Sequence, residues 1–267
     1  MPQVRIVDAH DTRLDIFRLN ERQLFPRDQR RNPADHGLFI AEGDLVVERA
    51  FAAGCQARAL LCSERFAMTI INDAVDVYIG DTELRREVTG LGVPLDALGV
   101  FERPTLPEPT ALLRSARRVV AFEAVDNPTN IGAVTRSAAA LGWDAMALDW
   151  SSADPFARRA LRVSMGTAFA MPFCRIAQGD PLVESLNQAD LTTIALTPDP
   201  SATDIREFAS DRALLSGRIA VVLGAERTGL TEASIDASTL RARIPMQAGV
   251  DSLNVANAAS IALFALA

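Results

Sequence analysis

The alternation of apolar and polar positions becomes regular at Gly37 and continues to about residue 102. Apolar runs of strand length alternate there with segments whose apolar residues follow helical spacing. The runs GLFIAEG, ARALLCS, VDVYIG and ALGVFERP predict strands, and DLVVERAFAAG, ERFAMTIINDA and DTELRREVTG predict helices between them. Asp44 and Asp81 stand where helix N-caps are expected. The pattern therefore predicts a small α/β domain in the first half of the chain.

A proline-rich stretch, RPTLPEPTALLRSARR, interrupts this alternation. Pro104, Pro107 and Pro109 lie within six residues and favour an extended conformation. We predict a first domain over 1–104, a linker over 105–117 and a second domain over 118–267. Few contacts are expected to cross such a linker.

After the linker the alternation restarts with longer, almost uninterrupted apolar strands, of which VVAFEAV, LTTIAL and IAVVLG are the clearest. Strands of this kind between helices indicate a mostly parallel sheet that is covered on both faces. The chain ends in a helix predicted from Leu253 that is apolar nearly all round, which is typical of a buried helix. The predicted fold class is therefore α/β, with a larger parallel-sheet domain following a smaller one.

Polar residues follow three strands of this second domain, where open parallel sheets bind their ligands. DNPTNIGAVTRSA places Asn130, the predicted N-cap of the next helix, six residues before Arg136, which is about one and two-thirds helical turns. Taken alone, Asn130 is a helix cap and Arg136 a surface charge. A functional role for these two residues is predicted only when the other two clusters are considered with them.

The second and third clusters are AERTGL and QAGVDSLNVANAAS. Gly224 and Gly229 frame Glu226 in a tight loop, where glycine lets a ligand approach the main chain. Ser252 and Asn254 precede the last helix, whose free N–H groups can face a ligand. Each cluster alone has a simple structural explanation, a solvated loop or an N-cap. The three clusters after three strands of one sheet predict a composite site.

Charge and composition limit the partners. All 27 basic residues are arginine, the net charge is −7 and the isoelectric point is about 5.0. This balance excludes a wholly basic nucleic-acid binder but allows a local patch. The polar stretch 1–36 is either a solvated arm or a phosphate-binding patch. The candidate phosphate contacts in it are Arg22, Arg27, Arg30 and Arg31.

Several kinds of chemistry are absent from the sequence. It has no GxGxxG, P-loop or GxSxG motif, and both histidines, His10 and His36, lie far from the second domain, which excludes a Ser-His-Asp triad there. Three widely spaced cysteines indicate free thiols in a reducing cytoplasm and no zinc site. We therefore expect no metal. There is no apolar signal core, and the last apolar run is too short to cross a bilayer.

At these three clusters the sequence resembles the SpoU (TrmH-like) family of RNA ribose 2'-O-methyltransferases, within the SPOUT superfamily. The matching motifs are NPTNIGAVTRSAAALG, VVLGAERTGL and IPMQAGVDSLNVANAASIALF, so the resemblance covers about residues 118–267. Arg227 departs from it, because many members have glycine there. The first half, through GLFIAEGDLVVERA, is similar to the ribosomal-protein-like RNA-binding domain that precedes the catalytic domain in many members.

The resemblance implies a SPOUT domain with a deep C-terminal trefoil knot, a homodimer and S-adenosylmethionine as cofactor. Arg136 is expected to act on the ribose 2'-hydroxyl; since arginine is a poor base, we expect it to fix the adjacent phosphate and stabilise the developing alkoxide. Asn130, Glu226, Ser252 and Asn254 would orient Arg136 and the ribose. The backbone would hold the cofactor near Leu196, Thr197, Gly224, Ile244, Met246 and Leu253.

The substrate expected from the extra N-terminal domain is ribosomal RNA. Two alternatives remain open at this point, a transfer RNA 2'-O-methyltransferase and an RNA-binding protein without catalysis.

Overall fold

A computed structural model describes residues 3–25, 37–69, 75–92, 95–247, 249–250 and 252–267. The chain divides into two compact units. The first comprises Met1–Thr105 and Phe156–Phe169, and the second comprises Leu106–Pro155 and Ala170–Ala267.

The first unit contains a five-stranded mixed sheet. Its strands are β1 (Val4–Arg5), β2 (Leu38–Glu42), β3 (Ala57–Cys62), β4 (Asp76–Ile79) and β5 (Ala97–Glu102), in the order β1-β4-β3-β5-β2. β5 runs antiparallel to both of its neighbours, and the other pairings are parallel. The helices in the part of this unit before residue 105 are α1 (Glu21–Leu24), α2 (Asp44–Ala52), α3 (Glu64–Ala67) and α4 (Thr82–Thr89). The predicted small α/β unit is confirmed.

Local chemistry explains where two of these helices begin. Asp81 caps α4 as predicted, because its carboxylate accepts a hydrogen bond from the Leu84 N–H. The prediction for Asp44 was wrong: Gly43 occupies the cap position with φ 99°, and Asp44 is the first helical residue. Gly43 has no side chain, so α2 begins without a side-chain cap, and the left-handed φ of Gly43 turns the chain directly from β2 into α2.

Residues 4–24, the described part of the predicted arm, are more ordered than a solvated arm. β1 pairs with β4, and a 3-10 helix follows at Thr12–Arg18. Leu14 and Phe17 of that helix are fully buried in the core of the first unit. Two large apolar side chains three residues apart are sufficient to anchor this helix on the sheet.

The segment Phe156–Phe169, which the sequence places in the second domain, packs with the first unit. Phe39 of β2 stacks on Phe156 with ring centroids 5.4 Å apart and contacts Phe169 at 5.5 Å. The carboxylate of Glu42 is buried and pairs with two arginines of helix α7 (Arg158–Val163), Arg158 and Arg162. These aromatic and ionic contacts hold the segment in the first unit. The expectation that few contacts connect residues before the linker with residues after it was therefore wrong.

The predicted extended linker 105–117 was also wrong in its second half. Pro109 is the first residue of helix α5 (Pro109–Ser115), a position where a missing N–H has no consequence. Leu113 of α5 is buried in the core of the second unit. The Arg218 guanidinium donates hydrogen bonds to the carbonyls of Leu113 and Ala116, which closes the end of this helix.

The second unit contains a seven-stranded sheet in which every pairing is parallel, as predicted. Its order is β10-β12-β9-β11-β6-β7-β8. The strands are β6 (Arg118–Phe122), β7 (Ala145–Leu148), β8 (Phe173–Arg175), β9 (Thr192–Leu196), β10 (Thr203–Asp204), β11 (Ile219–Leu223) and β12 (Leu240–Arg243). The helices, besides α5, are α6 (Pro128–Ala140), α8 (Leu182–Asn187), α9 (Ile205–Phe208), α10 (Arg212–Ser216), α11 (Glu232–Ala237) and α12 (Val255–Ala265).

The last helix, α12, is not buried all round. Val255, Ala259 and Leu263 face the interior, whereas Ile261 is 43% and Phe264 74% exposed. The expectation of a wholly buried helix was therefore wrong. Alanines between Val255 and Leu263 allow close packing of the inner face, whereas Ile261 and Phe264 are left outside.

The three cysteines are free thiols, as predicted. Burial raises the pKa of the Cys62 thiol to about 11 and that of Cys174 to about 12, so neither forms a thiolate near neutral pH. Among the described residues, no helix is long and apolar enough to span a membrane.

Candidate active site

The three polar clusters emerge at one edge of the second sheet. The last residues of β6 and β11, Phe122 and Leu223, pair with each other, and β9 and β12 continue the same edge. Because all four strands are parallel, the loops that follow them leave from neighbouring positions. The clusters are therefore brought together, as the sequence analysis predicted.

One carboxylate oxygen joins the three motifs. Oε1 of Glu226 accepts a hydrogen bond of 2.6 Å from Nδ2 of Asn130 and another of 2.6 Å from Nδ2 of Asn254. The Asn254 amide also lies 3.2 Å from Oδ1 of Asn130. Hydrogen bonds to an ionised acceptor are stronger than those between neutral groups. The three side chains thus form a closed triangle that fixes the relative position of the three loops.

Asn130 can take part because it does not cap its helix. The N-cap of α6 is Asn127, whose side chain accepts from the Thr129 N–H, and Pro128 is the first helical residue. The prediction that Asn130 is the cap was wrong by one turn. Asn130 lies inside the first turn and is only 4% exposed, so its amide is directed to Glu226.

Asn254 has two tasks in the triangle. Its side-chain oxygen accepts from the Ala256 N–H and caps α12, while its NH2 group donates to Glu226. The helix therefore begins at Val255, two residues later than predicted, and Asn254 rather than Ser252 is the cap. Ser252 is exposed and makes no hydrogen bond with another described residue, so its orienting role stays a prediction.

The second-motif loop is shaped by two glycines. A Cβ on Gly224 would lie 2.3 Å from backbone atoms of Gly229 and Leu230, so no side chain fits there. The Gly229 N–H donates to the Ala225 carbonyl at 2.9 Å, and φ of Gly229 is +69°. This tight turn presents Glu226 to the two asparagines. Arg227, the departure from the family pattern, is exposed in the same turn.

Arg136 lies on α6 beyond Asn130 and is exposed. It makes no hydrogen bond or ion pair with any residue that the structure describes, so its guanidinium is available to a ligand.

The predicted cofactor-holding residues lie where the strands end. Leu196 ends β9 and Thr197 follows it, Gly224 follows β11, and Ile244 and Met246 follow β12; all five are half-buried. Leu253, just before α12, is 38% exposed. Half-buried aliphatic side chains with accessible main chain suit a ligand that has both an apolar ring face and polar edges.

One hydrogen bond between the loops was not predicted from the sequence. Oε1 of Glu123, directly after β6, accepts a 2.8 Å hydrogen bond from the Thr231 hydroxyl, and Thr231 also caps α11. Ala124, the next residue, has φ +54°, a conformation that non-glycine residues rarely adopt. The only sequence signal for this hydrogen bond is the position of Glu123, an acidic residue directly after a strand. Nothing in the sequence indicates the backbone strain at Ala124.

No cluster of three His, Cys, Asp or Glu residues that could hold a metal ion occurs within the described ranges. Of the arginines predicted to contact phosphates, Arg22 is exposed on α1. Arg27, Arg30 and Arg31 lie outside the described residues.

Comparisons with known proteins agree with this site. The profile of the SpoU rRNA Methylase family matches residues 117–264. An uncharacterized tRNA/rRNA methyltransferase of Mycobacterium bovis is 35% identical over 264 residues, which cover 97% of this chain and 90% of that protein. The 23S rRNA (guanosine(2553)-2'-O)-methyltransferase RlmP of Bacillus subtilis is 27% identical over 85% of this chain and 88% of its own.

Solved structures share the fold. An AdoMet-bound rRNA methyltransferase from Sinorhizobium meliloti superposes with a TM-score of 0.80 and 24% identity, covering 98% of this chain and 96% of that chain. The matching profile spans more than half of the 267 residues and includes all three motifs that meet at Glu226. The chain therefore belongs to the SpoU rRNA Methylase family.

Proposed function

We propose that this protein transfers the methyl group of S-adenosylmethionine to a ribose 2'-hydroxyl of RNA. The observation that carries the proposal is the triangle of Asn130, Glu226 and Asn254, which ties three separate motifs into one site. Membership of the SpoU rRNA Methylase family and the activity of the Bacillus subtilis relative support it.

The described residues fit this cofactor. Gly224 lets the backbone of Gly229 and Leu230 approach closely and so shapes the loop after β11. The aliphatic Leu196, Ile244 and Met246, half-buried at the neighbouring strand ends, offer apolar surface. Thr197 and Leu253 complete the set that would hold it. When bound, the cofactor supplies an electrophilic methyl group on a sulfonium.

The residues of the chain position the hydroxyl and stabilise charge. Arg136 is exposed and able to bind the phosphate beside the target ribose with its forked donors. The same guanidinium stabilises negative charge that develops on the 2'-oxygen. Both amide donors use Oε1 of Glu226, so Oε2 stays open to the ribose hydroxyl or to Arg136. Orientation of this kind accounts for a large part of a rate enhancement.

We further propose that the active form is a homodimer and that the second unit contains a trefoil knot. Leu253, Ile261 and Phe264 form an exposed apolar stripe at helical spacing on and just before α12, which a second copy would cover. α12 also packs back on α6, where the Ser137 and Ser260 hydroxyls lie 2.9 Å apart, so the chain end returns to the middle strands. An experimental structure traced through 190–265 tests the knot.

Ribosomal RNA is the proposed substrate, and transfer RNA the alternative. The activity of the Bacillus subtilis relative, which aligns over most of both chains, favours the former. Such a substrate implies action in the cytoplasm, which cell fractionation tests. Mapping of 2'-O-methylation in total RNA with and without the gene would identify the nucleotide.

A methyl-transfer assay tests the proposed function. Purified protein with labelled cofactor should label unmodified ribosomal RNA at a 2'-oxygen. Arg136→Ala should abolish turnover while the cofactor dissociation constant changes little, because Arg136 lies on α6 and outside the strand ends that we propose to hold the cofactor. Arg212→Ala, another exposed arginine of the second unit, is the control and should remain active.

Two results would count against this assignment. A protein that binds RNA without a saturable cofactor signal in calorimetry, and labels no RNA, is a non-catalytic RNA binder. A large rise in the cofactor dissociation constant of Arg136→Ala would show that its role is misassigned.

A further inference from the structure

The loop after β7 carries an exposed tryptophan at the same sheet edge as the candidate active site. Trp150 is 50% exposed and follows Leu148, which pairs with Phe122 at the end of β6. The second tryptophan, Trp143, is 3% exposed and donates its indole N–H to the Leu263 carbonyl at 3.1 Å. Trp143 is therefore part of the core, whereas no such structural role accounts for Trp150.

Hydrogen bonds tie down the loop that holds Trp150 on both sides of the tryptophan. The Asp149 carboxylate accepts hydrogen bonds from the Ser151 hydroxyl at 2.6 Å and from the Ser152 N–H at 2.8 Å. The Arg175 guanidinium donates to the carbonyls of Asp149 and Ser152, at 2.8 and 2.9 Å. Bonds on both sides of Trp150 thus fix its backbone without enclosing its indole ring.

The same loop is bonded to the segment that leads into the first motif. The Asp149 N–H donates to the Phe122 carbonyl at 3.0 Å, and the Ala153 N–H donates to the Val125 carbonyl at 2.9 Å. The Ser152 hydroxyl bridges the two, since it donates to the Phe122 carbonyl and accepts from the Val125 N–H. Trp150 therefore holds a fixed position relative to the loop that presents Asn127 and Asn130.

We propose that Trp150 is a stacking platform for a nucleobase of the RNA substrate near the target ribose. A single exposed apolar residue needs no explanation by itself. Trp150, however, is a large aromatic ring that a hydrogen-bonded loop holds in solvent at the same sheet edge as the site. Unpaired bases of single-stranded RNA bind to exposed aromatic rings of this kind. Bases stack on aromatic faces with little regard to sequence, and a loop that hydrogen bonds already tie down lowers the entropic cost of binding. This inference rests on the proposed function, because it assigns the RNA contact of the same site.

Two substitutions separate stacking from mere apolar bulk. Trp150→Leu keeps an apolar side chain but removes the aromatic ring. Trp150→Phe keeps an aromatic ring that is smaller than the indole. We expect Trp150→Leu to raise the RNA dissociation constant and KM by about 5- to 150-fold, the loss typical of one stacked base. Trp150→Phe should recover most of that loss, and cofactor affinity should be equal in all three proteins.

Fluorescence gives a second measurement on the unmodified protein. Unmodified ribosomal RNA fragments should quench the tryptophan emission of the wild type, and the quenched component should be missing in Trp150→Phe, where only Trp143 emits. Equal RNA affinity of wild type and Trp150→Leu, or equally weakened binding in the Leu and Phe variants, would overturn the stacking assignment. If the wild type labels no RNA, the proposed function fails, and the quenching experiment still decides whether Trp150 contacts RNA.

Discussion

Glu226 shows how a single side chain can hold a composite site together. Its neighbours in space, Asn130 and Asn254, are 96 and 28 residues away in the chain. The residue types at the strand ends, with the family resemblance, were sufficient to predict that the three belong to one site. Their bonding was not predictable, because DNPTN contains two asparagines suited to capping α6, and only the position of Pro128 favours Asn127.

The triangle makes a prediction about stability as well as activity. Glu226→Ala should lower the free energy of unfolding by about 1–3 kcal/mol, since it leaves the buried Asn130 amide without its acceptor. Methyl transfer should fall as well. Glu226→Gln keeps an acceptor oxygen and should retain most of the stability, while the loss of charge still reduces transfer. Urea unfolding and single-turnover rates measure the two effects.

Arg227→Ala is the matched control for this experiment. It lies beside Glu226 in the same turn, is exposed and bonds to no described residue, so its removal should leave the unfolding free energy unchanged. A Glu226→Ala protein as stable and as active as the wild type would show that the triangle has neither role.

At the scale of elements, burial was predicted less well than secondary structure. The apolar pattern placed the start of α12 to within two residues, but a pattern cannot distinguish a face covered by the protein's own core from one that a second copy would cover. Likewise, three prolines predicted an extended linker, although Pro109 at a first helical position is compatible with α5. Both errors concern what packs on a helix, which depends on residues distant in sequence.

The exposed stripe of α12 leads to a prediction about assembly. Phe264→Asp places a charge in the proposed contact, where its desolvation is unfavourable, and should convert a dimer into a 28.7 kDa monomer. Sedimentation measures the change. Met68→Asp, at an equally exposed apolar position of the first unit, is the control and should stay dimeric. A wild type that sediments as an active monomer would disprove the dimer.

For the whole molecule, the division into units affects how RNA recognition can be tested. Deleting 1–104 would remove Phe39 and Glu42 and thereby expose Phe156, Phe169 and the charges of α7. The sequence could not show this, because a boundary drawn at prolines says nothing about a segment 50 residues later. Point substitutions in the full chain avoid the problem.

Net charge determines what such substitutions should show. A protein with a net charge of −7 repels RNA as a whole, so binding must depend on a local arginine surface. We expect that surface to include Arg22, Arg27, Arg30 and Arg31. Replacing Arg30 and Arg31 with alanine should therefore weaken RNA binding. It should also flatten the plot of log affinity against log salt by roughly one unit of slope for each phosphate that the variant no longer binds.

A second pair of arginines separates phosphate binding from general charge. Arg114 and Arg212 are exposed on the second unit, and replacing both with alanine removes the same two charges. The two double variants lose the same number of positive charges, so their long-range repulsion of RNA is equal. A difference in RNA binding between them therefore reports direct contacts with phosphate. Filter-binding titrations from low to moderate salt measure the slopes. If both pairs flatten the slope to the same extent, the arginines near residue 30 contribute only general charge, and another surface must bind the RNA.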